Sequence, residues 1–564
     1  MDCACQSAMK HGSERRILQS YARLWLFSET ILHVHDSFLV PHRLWIYAQA
    51  PAFAVAFVHP SPFSLSASIL LRSAMYVVRA PFIWDSCVWA IFTDTAFVGA
   101  AMFCKREEVV RMCADMVRIQ MALFYLGAGL WKINDAFLDA RVSCASIYVA
   151  SLVSYLPEQL VPHWINLVLT IAPHITIIGE CGLGICLLLP SRGARRIGVS
   201  LSALLHYGIA ITPHPNQVAS FGVFCVTRLF FVMPEAWTTA LQECLTLPAS
   251  TAEYVARLGS VVLIAASTQL TSTPGVYIDW CIPVQTALCL LVARACLIDV
   301  QTKSHDEARS TTSTSIALRA GGVLLLLLTL SYAFVFQVLG LMDISATSPF
   351  SSIRQHGGTN HRFMPTSLLQ QSQITSQLDK FGGGVVRVTA CSSEYMNALY
   401  PANCTEELPP RVRQLLLRAG HIGQQFNPTV RQMLGPEIRA DLPRWRRGSG
   451  VPFPAYTVPA LQLRRMLAEA RSTGERFTLE YEHLPGVVGD EAWRQTAVAA
   501  HVRVDVEKMQ VRRCRVRRTA SLLWTRCSPQ ELALLPAPEG PLMKIMLFFP
   551  YPIIRGLDVL PCMD

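Results

Sequence analysis

Long apolar runs separated by short polar loops occupy the chain up to about residue 341. A helix needs about 20 mostly apolar residues to cross the hydrocarbon core of a bilayer. The clearest runs predict membrane-spanning helices at approximately residues 84–103, 113–133, 165–190, 197–212, 217–233, 256–275, 276–298 and 316–341. Residues 17–80 add two to four weaker candidates, interrupted by charged side chains and prolines. We therefore expect nine to eleven helices in this part of the chain.

Beyond residue 345 the pattern changes to short runs in which apolar and polar residues alternate, as in half-buried strands. The alternation predicts strands at residues 385–389, 477–481, 502–506 and 511–518. Apolar residues at helical spacing predict amphipathic helices at 411–419 and 459–471. The predicted fold is a multi-span α-helical membrane bundle followed by an extramembrane α+β domain with a β core. Its expected parts are a polar tail (1–14), the bundle (15–342) and the C-terminal domain (343–564).

The composition excludes a water-soluble fold, because 52% of the residues are hydrophobic and only 16% are charged, against about a quarter in soluble domains. Residues 351–564 carry 27 Lys and Arg against 18 Asp and Glu, so nearly all of the net charge of +10 belongs to the C-terminal domain. The N-terminus predicts no cleaved signal peptide. The 18 cysteines form no C-x-x-C pair, and no metal site is expected.

Basic loops predict the orientation, since Lys and Arg favour cytosolic loops. Placing residues 105–111, 192–196 and 303–309 in the cytosol is self-consistent, with the N-terminus on the same side. The C-terminal domain is then lumenal or extracellular, in the endoplasmic reticulum or another endomembrane. The triplet Asn403-Cys404-Thr405 agrees with this side, because it is a glycosylation sequon.

One predicted helix carries a polar stripe, since Arg118, Tyr125, Gly129 and Lys132 share a face at 3.6 residues per turn. Polar groups inside a membrane must face protein or a wet cavity, and they often mark functional sites. A buried lysine can act as a base once it is deprotonated. The alternative is structural: Lys132 extends to the membrane interface, and the glycines only permit close helix packing.

The run R-x-Q-x4-Y-x2-A-G-x2-K, from Arg118 to Lys132, resembles the signature helix of the HTTM (horizontally transferred transmembrane) family, which includes vitamin K-dependent gamma-carboxylase. The resemblance continues through Glu180 and His206, and then through residues 348–361, which are similar to an S-x-F-S-x-x-R…N-H segment. It covers, with gaps, roughly residues 65–480.

The resemblance implies a catalytic set in which Lys132 is the base, with Glu180 and His206 beside it, and a cofactor set of Tyr125, Gly129 and Arg118. The implied cofactor is reduced vitamin K or another lipid quinone. The alternative for Glu180 and His206, and for the further candidate His174, is a satisfied hydrogen bond between helices. Arg228 is expected only to anchor the cytosolic end of its helix.

The sequence departs from the carboxylases at one motif on which their activity depends. Where the carboxylases have Trp-Asn-Asn-His, with a histidine essential to their chemistry, this chain reads Trp89-Ala90-Ile91-Phe92. Two functions therefore stay open: an intramembrane lyase of the carboxylase and epoxidase kind, or a catalytically divergent member that binds lipid or a partner. A transporter is disfavoured, because broken helices at matching positions in two halves are not visible.

The predicted strand at residues 511–518 contains five arginines. Such a strand could bind an acidic peptide or anionic lipid headgroups. The alternative is a solvated sheet edge, whose charges prevent unwanted strand pairing. Membrane lipids are expected partners of the bundle, and nucleic acid is not expected for a lumenal domain.

Overall fold

The fold was obtained as a computed structural model of the 564-residue chain. The structure describes residues 2–39, 43–79, 85–104, 108–161, 164–212, 219–246, 248, 250–267, 281–301, 316–339, 341–342, 345–348, 350–351, 353, 361–364, 385–393, 410–420, 456–459, 462–463, 467, 470, 474–484, 500–507, 510–518, 521, 523–528 and 551–552. The sequon at Asn403 and the basic residues 105–107 and 303–309 lie outside these ranges.

The N-terminal part is mainly helical in its described residues, and each of the eight predicted apolar segments contains a helix. The first four helices, which precede the helix with the polar stripe, are α1 Asp2–Leu39, α2 Arg43–Val58, α3 Pro62–Arg79 and α4 Asp85–Phe103. Those that follow are α5 Val109–Trp131, α6 Asp135–Leu138, α7 Cys144–Val153, α8 Ile165–Leu188, α9 Arg192–Ala210, α10 Ala219–Arg228, α11 Pro234–Leu245, α12 Thr251–Ser267, α13 Cys281–Gln301, α14 Ile316–Leu330 and α15 Phe336–Leu339. A π-helical turn, Ser331–Val335, joins the last two.

Four of the described helices are long and apolar enough to cross a membrane: Ser86–Phe103, Ile165–Leu188, Cys281–Gln301 and Ala320–Leu339. Each coincides with a predicted span. Helix α5 is 23 residues long but carries Arg111, Asp115 and Arg118 in its first half, which lowers its apolar character. The larger total of nine to eleven spans stays a prediction.

The polar stripe lies on α5, which packs most extensively against α8. The two helices run antiparallel, since Gly129 lies against Cys181 whereas Ala122 lies against Gly184. Helix α14 runs parallel to α5, because Gln120 donates to Thr329 and Trp131 donates to the carbonyl of Ala333 further along. The chain therefore leaves α14 at the end of the bundle where Lys132 lies.

The opposite end is marked by an ion pair between Arg196, at the start of α9, and Asp299, near the end of α13. Their closest atoms are 3.3 Å apart. The predicted cytosolic loop at 192–196 and the residues just before the one at 303–309 therefore lie at the same end of the bundle.

The C-terminal part forms an antiparallel sheet of seven described strands in the order β6-β5-β4-β3-β1-β2-β7. The strands are β1 Val385–Cys391, β2 Tyr456–Pro459, β3 Phe477–Leu484, β4 Ala500–Glu507, β5 Gln510–Arg518, β6 Thr525–Arg526 and β7 Tyr551–Pro552. All four predicted strands are confirmed. Alternation gives the sheet one buried face, which includes Val388, Leu479, Val504 and Val516. Leu463 and Leu467, from the predicted helix at 459–471, pack on it.

One amphipathic helix of the C-terminal region, α16 Pro410–Arg418, docks on the helical bundle. Its apolar side, formed by Val412, Leu415 and Leu416, joins a buried cluster with α7 and α8. The guanidinium of Arg411 donates to the carbonyl of Leu156. Helix α16 matches the predicted helix at 411–419, and it lies at the Lys132 end of the bundle.

Candidate functional site

The backbones of α5 and α8 approach closely because glycines stand at the contact. A Cβ added at Gly184 would lie 2.6 Å from Cγ of Leu126 and 2.9 Å from the carbonyl oxygen of Ala122. A Cβ at Gly129 would lie 3.1 Å from the backbone nitrogen of Cys181. Cβ atoms do not approach backbone this closely without displacement, so the glycines set the distance between the helices. Gly129, predicted to bind a cofactor, thus faces α8 in the structure.

Lys132 caps the C-terminus of α5 and points into this close contact. Its ammonium lies 3.0 Å from Oε1 and 2.9 Å from Oε2 of Glu180, and 3.3 Å from the carbonyl oxygen of Ala128. Only 3% of Lys132 and 9% of Glu180 is exposed. The structural alternative, in which the Lys132 side chain extends to the membrane interface, therefore does not match the structure. It forms a buried ion pair between two helices.

Tyr125 and His206, the second pair of predicted residues, lie about two helical turns from Lys132, toward the N-terminus of α5. The hydroxyl of Tyr125 is 2.9 Å from Nε2 of His206 on α9, and it also forms a hydrogen bond with the hydroxyl of Ser202. All three side chains are buried. The ring of Phe221 lies against His206, with ring centres 6.2 Å apart. Seven residues along a helix correspond to about 10 Å, so this polar group lies near the ion pair but is not bonded to it.

Arg118 is not part of either group. It pairs with Asp115 within α5, at 3.6 Å, and 14% of its side chain is exposed. Fourteen residues separate Arg118 from Lys132, which is roughly 21 Å along the helix axis. His174 of α8 is exposed on the outer surface of the described bundle. The structure thus brings together Lys132 with Glu180, and Tyr125 with His206, and leaves Arg118 at the far end.

The segment that follows the last helix closes over the Lys132 end. Asn134 caps α6 by accepting from the backbone nitrogen of Phe137, and its amide donates to the carbonyl of Ser351 at 2.6 Å. Gln337 donates to the hydroxyls of Ser345 and Ser348. Serines of the segment that resembles the family's S-x-F-S-x-x-R motif are therefore buried beside α5.

His361 belongs to the same closing segment and was not among the predicted site residues. Its Nδ1 accepts from the backbone nitrogens of Phe363 and Met364, and its Nε2 lies 2.8 Å from the carbonyl oxygen of Leu130. These partners require a neutral ring with the proton on Nε2. Burial lowers the pKa of His361, and the hydrogen bond to Leu130 opposes this only partly. The asparagine–histidine dipeptide in the sequence was the available signal for this residue.

The stretch that departs from the carboxylase pattern is filled with aromatic rings. The ring centre of Trp89 lies 5.8 Å from that of Phe124, and the ring centre of Phe92 lies 5.4 Å from that of Tyr332. Nε1 of Trp89 is buried and has no hydrogen-bond partner among the described residues. Helix α4 therefore contributes no histidine side chain to the contact with α5.

A separate group of four charges lies inside the bundle. The guanidinium of Arg228 is 3.1 Å from Oε1 of Glu29 and 2.9 Å from Oδ1 of Asp94, while Arg72 is 3.2 Å from Oε2 of Glu29. Trp25 donates to Asp94. Arg228 was expected only to anchor a helix end, and this expectation is wrong, because its side chain is fully buried. Ionisable residues within apolar segments are the signal that could have identified Glu29 and Asp94.

The comparisons with known proteins reach only the C-terminal part of the chain. A family model described as a domain of unknown function (DUF8388) matches residues 359–544. This range includes α16 and the strands from β1 to β6. No curated protein and no solved structure matches the chain.

Proposed function

We propose that this protein is an integral membrane enzyme of the HTTM kind, in which Lys132 is the base that deprotonates a hydrophobic, quinol-like substrate. One observation carries the proposal: a lysine amine is held 3.0 Å from the carboxylate of Glu180 in a buried site at one end of the bundle. A buried ion pair is weak support for stability alone, because the desolvation of two charges offsets their attraction. The burial of this pair therefore favours a functional role.

The pair supplies a path for the proton of Lys132. Transfer of this proton to Glu180 gives a neutral amine beside a carboxylic acid, a change that removes two buried charges. The amine of Lys132 then accepts the hydroxyl proton of the substrate. The products are an ammonium beside the substrate oxyanion, and protonated Glu180, so charge and protons balance.

The residues fit a lipid quinol in two respects. Both carboxylate oxygens of Glu180 lie 2.9–3.0 Å from the lysine nitrogen, and each has a further lone pair with which it can accept a hydrogen bond from a substrate hydroxyl. The ring of Phe137, whose centre is 5.7 Å from the lysine nitrogen, offers an aromatic surface beside the amine. A reduced quinone would supply an acidic phenolic hydroxyl and reducing electrons at this position. Roles for Tyr125, Gly129 and Arg118 in binding it stay predictions.

The location proposed for the site is the lumenal or extracellular end of the bundle. Three features support it: the direction of α14, a disulfide between Cys514 and Cys527, and a disulfide bond at Cys144 on α7. Disulfides persist mainly in oxidising compartments. Cys144 and α16 both lie at the Lys132 end, as the basic loops predict for residues outside the cytosol. We propose an endomembrane such as the endoplasmic reticulum.

A second candidate function is a divergent member that binds a lipid without carboxylation. The observation that favours it is the ring-filled wall around Trp89 and Phe92, where the carboxylases have a histidine. The two candidates differ in their products. The enzyme converts the quinol, whereas the divergent protein binds it unchanged.

Turnover in reconstituted membranes tests the proposal. The full-length protein in vesicles receives vitamin K hydroquinone, oxygen, bicarbonate and a glutamyl peptide, and chromatography follows both the quinone products and the peptide. Lys132→Met/Glu180→Leu removes the base together with its partner, so no unpaired charge is buried. Arg141→Met removes an exposed ion pair with Asp139 and is the matched control.

We expect the double variant to lose at least about 100-fold in quinol conversion, the usual contribution of a general base, while the control keeps its rate. Full conversion by the double variant would contradict the assignment of Lys132. Quinol binding without conversion in the wild type would support the divergent function instead.

A further inference from the structure

The outer face of the hairpin formed by β5 and β6 concentrates arginines that lack acidic partners. In the register of the sheet, Arg503 of β4 stands beside Arg515 of β5, and Arg515 stands beside Arg526 of β6. Arg503 pairs with Glu480, whereas Arg515 and Arg526 are exposed and have no carboxylate partner in the described part of the chain. Like charges directly opposite on neighbouring strands destabilise a sheet. The opposed arginines therefore destabilise the sheet, and a bound anion would reduce their repulsion.

The neighbouring turn carries exposed apolar side chains. Leu523 is 74% exposed and Trp524 is 39% exposed. The guanidinium groups of Arg503 and Arg517 lie 5.8 Å and 5.5 Å from the centre of the Trp524 ring. Tryptophan with arginine is a combination typical of the membrane interface, where an apolar ring enters the headgroup region and cations contact phosphates.

The hairpin holds these groups in a fixed arrangement. The disulfide between Cys514 and Cys527 joins its two strands on the opposite, buried face. The same strand contains Arg512, paired with Glu507 at 2.7 Å, and Arg513, opposite Asp505 in the register. The arginines at this end of β5 thus have acidic neighbours, whereas Arg515 and Arg517, beside Trp524, have none among the described residues.

We propose that this surface, Arg515, Arg517, Leu523, Trp524 and Arg526, binds the anionic lipid headgroups of a bilayer. An acidic peptide would satisfy the arginines but would leave Leu523 in water, whereas a bilayer accommodates both. Helix α16, from the same C-terminal region, packs on α7 and α8 of the bundle that we propose spans this membrane. The proposal is independent of the chemistry at Lys132.

Hydrogen–deuterium exchange of the full-length protein in nanodiscs tests it. The backbone amides of residues 511–527 are compared in phosphatidylcholine discs with and without phosphatidylglycerol. We expect slower exchange of this segment only in the anionic discs. An arginine near an anionic surface increases the binding constant about fivefold. In the variant Arg515→Gln/Arg526→Gln, the lipid-dependent protection of this segment should therefore be roughly 25-fold lower than in the wild type.

The matched control is Arg512→Gln/Arg513→Gln, which removes the same charge from the same strand but leaves the surface beside Trp524 intact. It should keep most of the lipid-dependent protection. Leu523→Ser, at an exposed position, should weaken protection without removing a charge. Equal exchange in both kinds of disc would overturn the proposal. So would protection by soluble polyglutamate in neutral discs, which would identify an acidic polypeptide as the partner.

Discussion

Nζ of Lys132 lies 2.9 Å from Oε2 of Glu180, and this contact joins the last turn of α5 to the middle of α8. Both side chains are buried, and the glycines at the helix contact allow the two helices to approach closely enough for the pair to form. The same contact is thus a structural link between helices and the proposed site of proton transfer.

The pair should respond differently to single and double substitution. Lys132→Met leaves the carboxylate of Glu180 buried without its cation and should lower stability by about 3–5 kcal/mol. Lys132→Met/Glu180→Leu removes both charges and should recover most of this loss. Thermal unfolding of the purified variants in one detergent measures the difference. Equal destabilisation by the single and double variants would show that the charges are not coupled.

The glycine contact predicts a second pair of outcomes on α8. Gly184→Ala forces a methyl group against the backbone of α5 and should destabilise by about 1–3 kcal/mol. Gly182→Ala, two residues away and on a different side of α8, meets nothing within 4 Å and should be neutral or slightly stabilising, because alanine favours helix. Both variants are compared by thermal unfolding. A neutral Gly184→Ala would mean that α5 and α8 are further apart than described.

The four buried charges predict a strong dependence on Arg228. Arg228→Met leaves Glu29 and Asp94 facing each other without their shared cation, so a loss of about 3–5 kcal/mol is expected. Arg294→Met removes a half-exposed pair with Glu243 and should cost no more than about 1 kcal/mol. Expression level and thermal unfolding in detergent provide the comparison. A mild effect at Arg228 would indicate that water or another cation reaches the acidic pair.

His361 predicts a loss of stability in acid. Its pKa is lowered in the folded protein, while in the unfolded chain it is near 6.5. The unfolded chain therefore binds the proton first as pH falls, so this contribution to stability is complete above about pH 6.5 and declines below it. His361→Asn keeps an acceptor for the backbone nitrogens but does not titrate. The stability of the wild type between pH 7.5 and 5.5 should fall more steeply than that of the variant, and equal slopes would contradict the assignment.

The proposed orientation predicts how cysteines react in intact microsomes. Ser521→Cys, at an exposed position of the C-terminal domain, should react with a membrane-permeable maleimide. Maleimide attached to a bulky, impermeant polymer should not reach this position unless the membrane is opened. Cys244, which is an exposed thiol near the other end, should react with both reagents in sealed microsomes. If the Ser521→Cys variant took up more of the impermeant reagent than the wild type in sealed microsomes, the domain would lie in the cytosol.

Local patterns predicted the elements of the fold but not their pairings. The alternation of Val502 to Val506 sufficed for β4, since a strand with one buried face has period two. Helical spacing similarly placed Tyr125 and Lys132 on one face of α5. In contrast, Arg228 meets Glu29 across 199 positions of the chain, and no periodicity records such a contact. The role of Arg228 was therefore misjudged, although its helix was predicted.

The candidate site was predicted in part for the same reason. Lys132 and Glu180 were singled out as ionisable residues in apolar helices, and the structure adds that they form a pair. Arg118 shares the predicted face with Lys132 but lies three to four turns away, so a common face did not mean a common site. His361 lies in the segment that resembles the family, residues 348–361, but it was not predicted as a site residue, because its contact with Leu130 depends on how the segment after α14 folds back.

Chemical rescue of Lys132→Ala by small amines tests the central claim most directly. Ethylamine can occupy the space of the missing side chain, pair with Glu180 and accept a proton, whereas tetramethylammonium carries the charge but can accept no proton. The proposed role predicts that ethylamine restores both the stability of the variant and its conversion of vitamin K hydroquinone, and that tetramethylammonium restores at most the stability. Conversion that is unimpaired in the variant, or restored equally by both cations, would contradict the claim that Lys132 acts as the base.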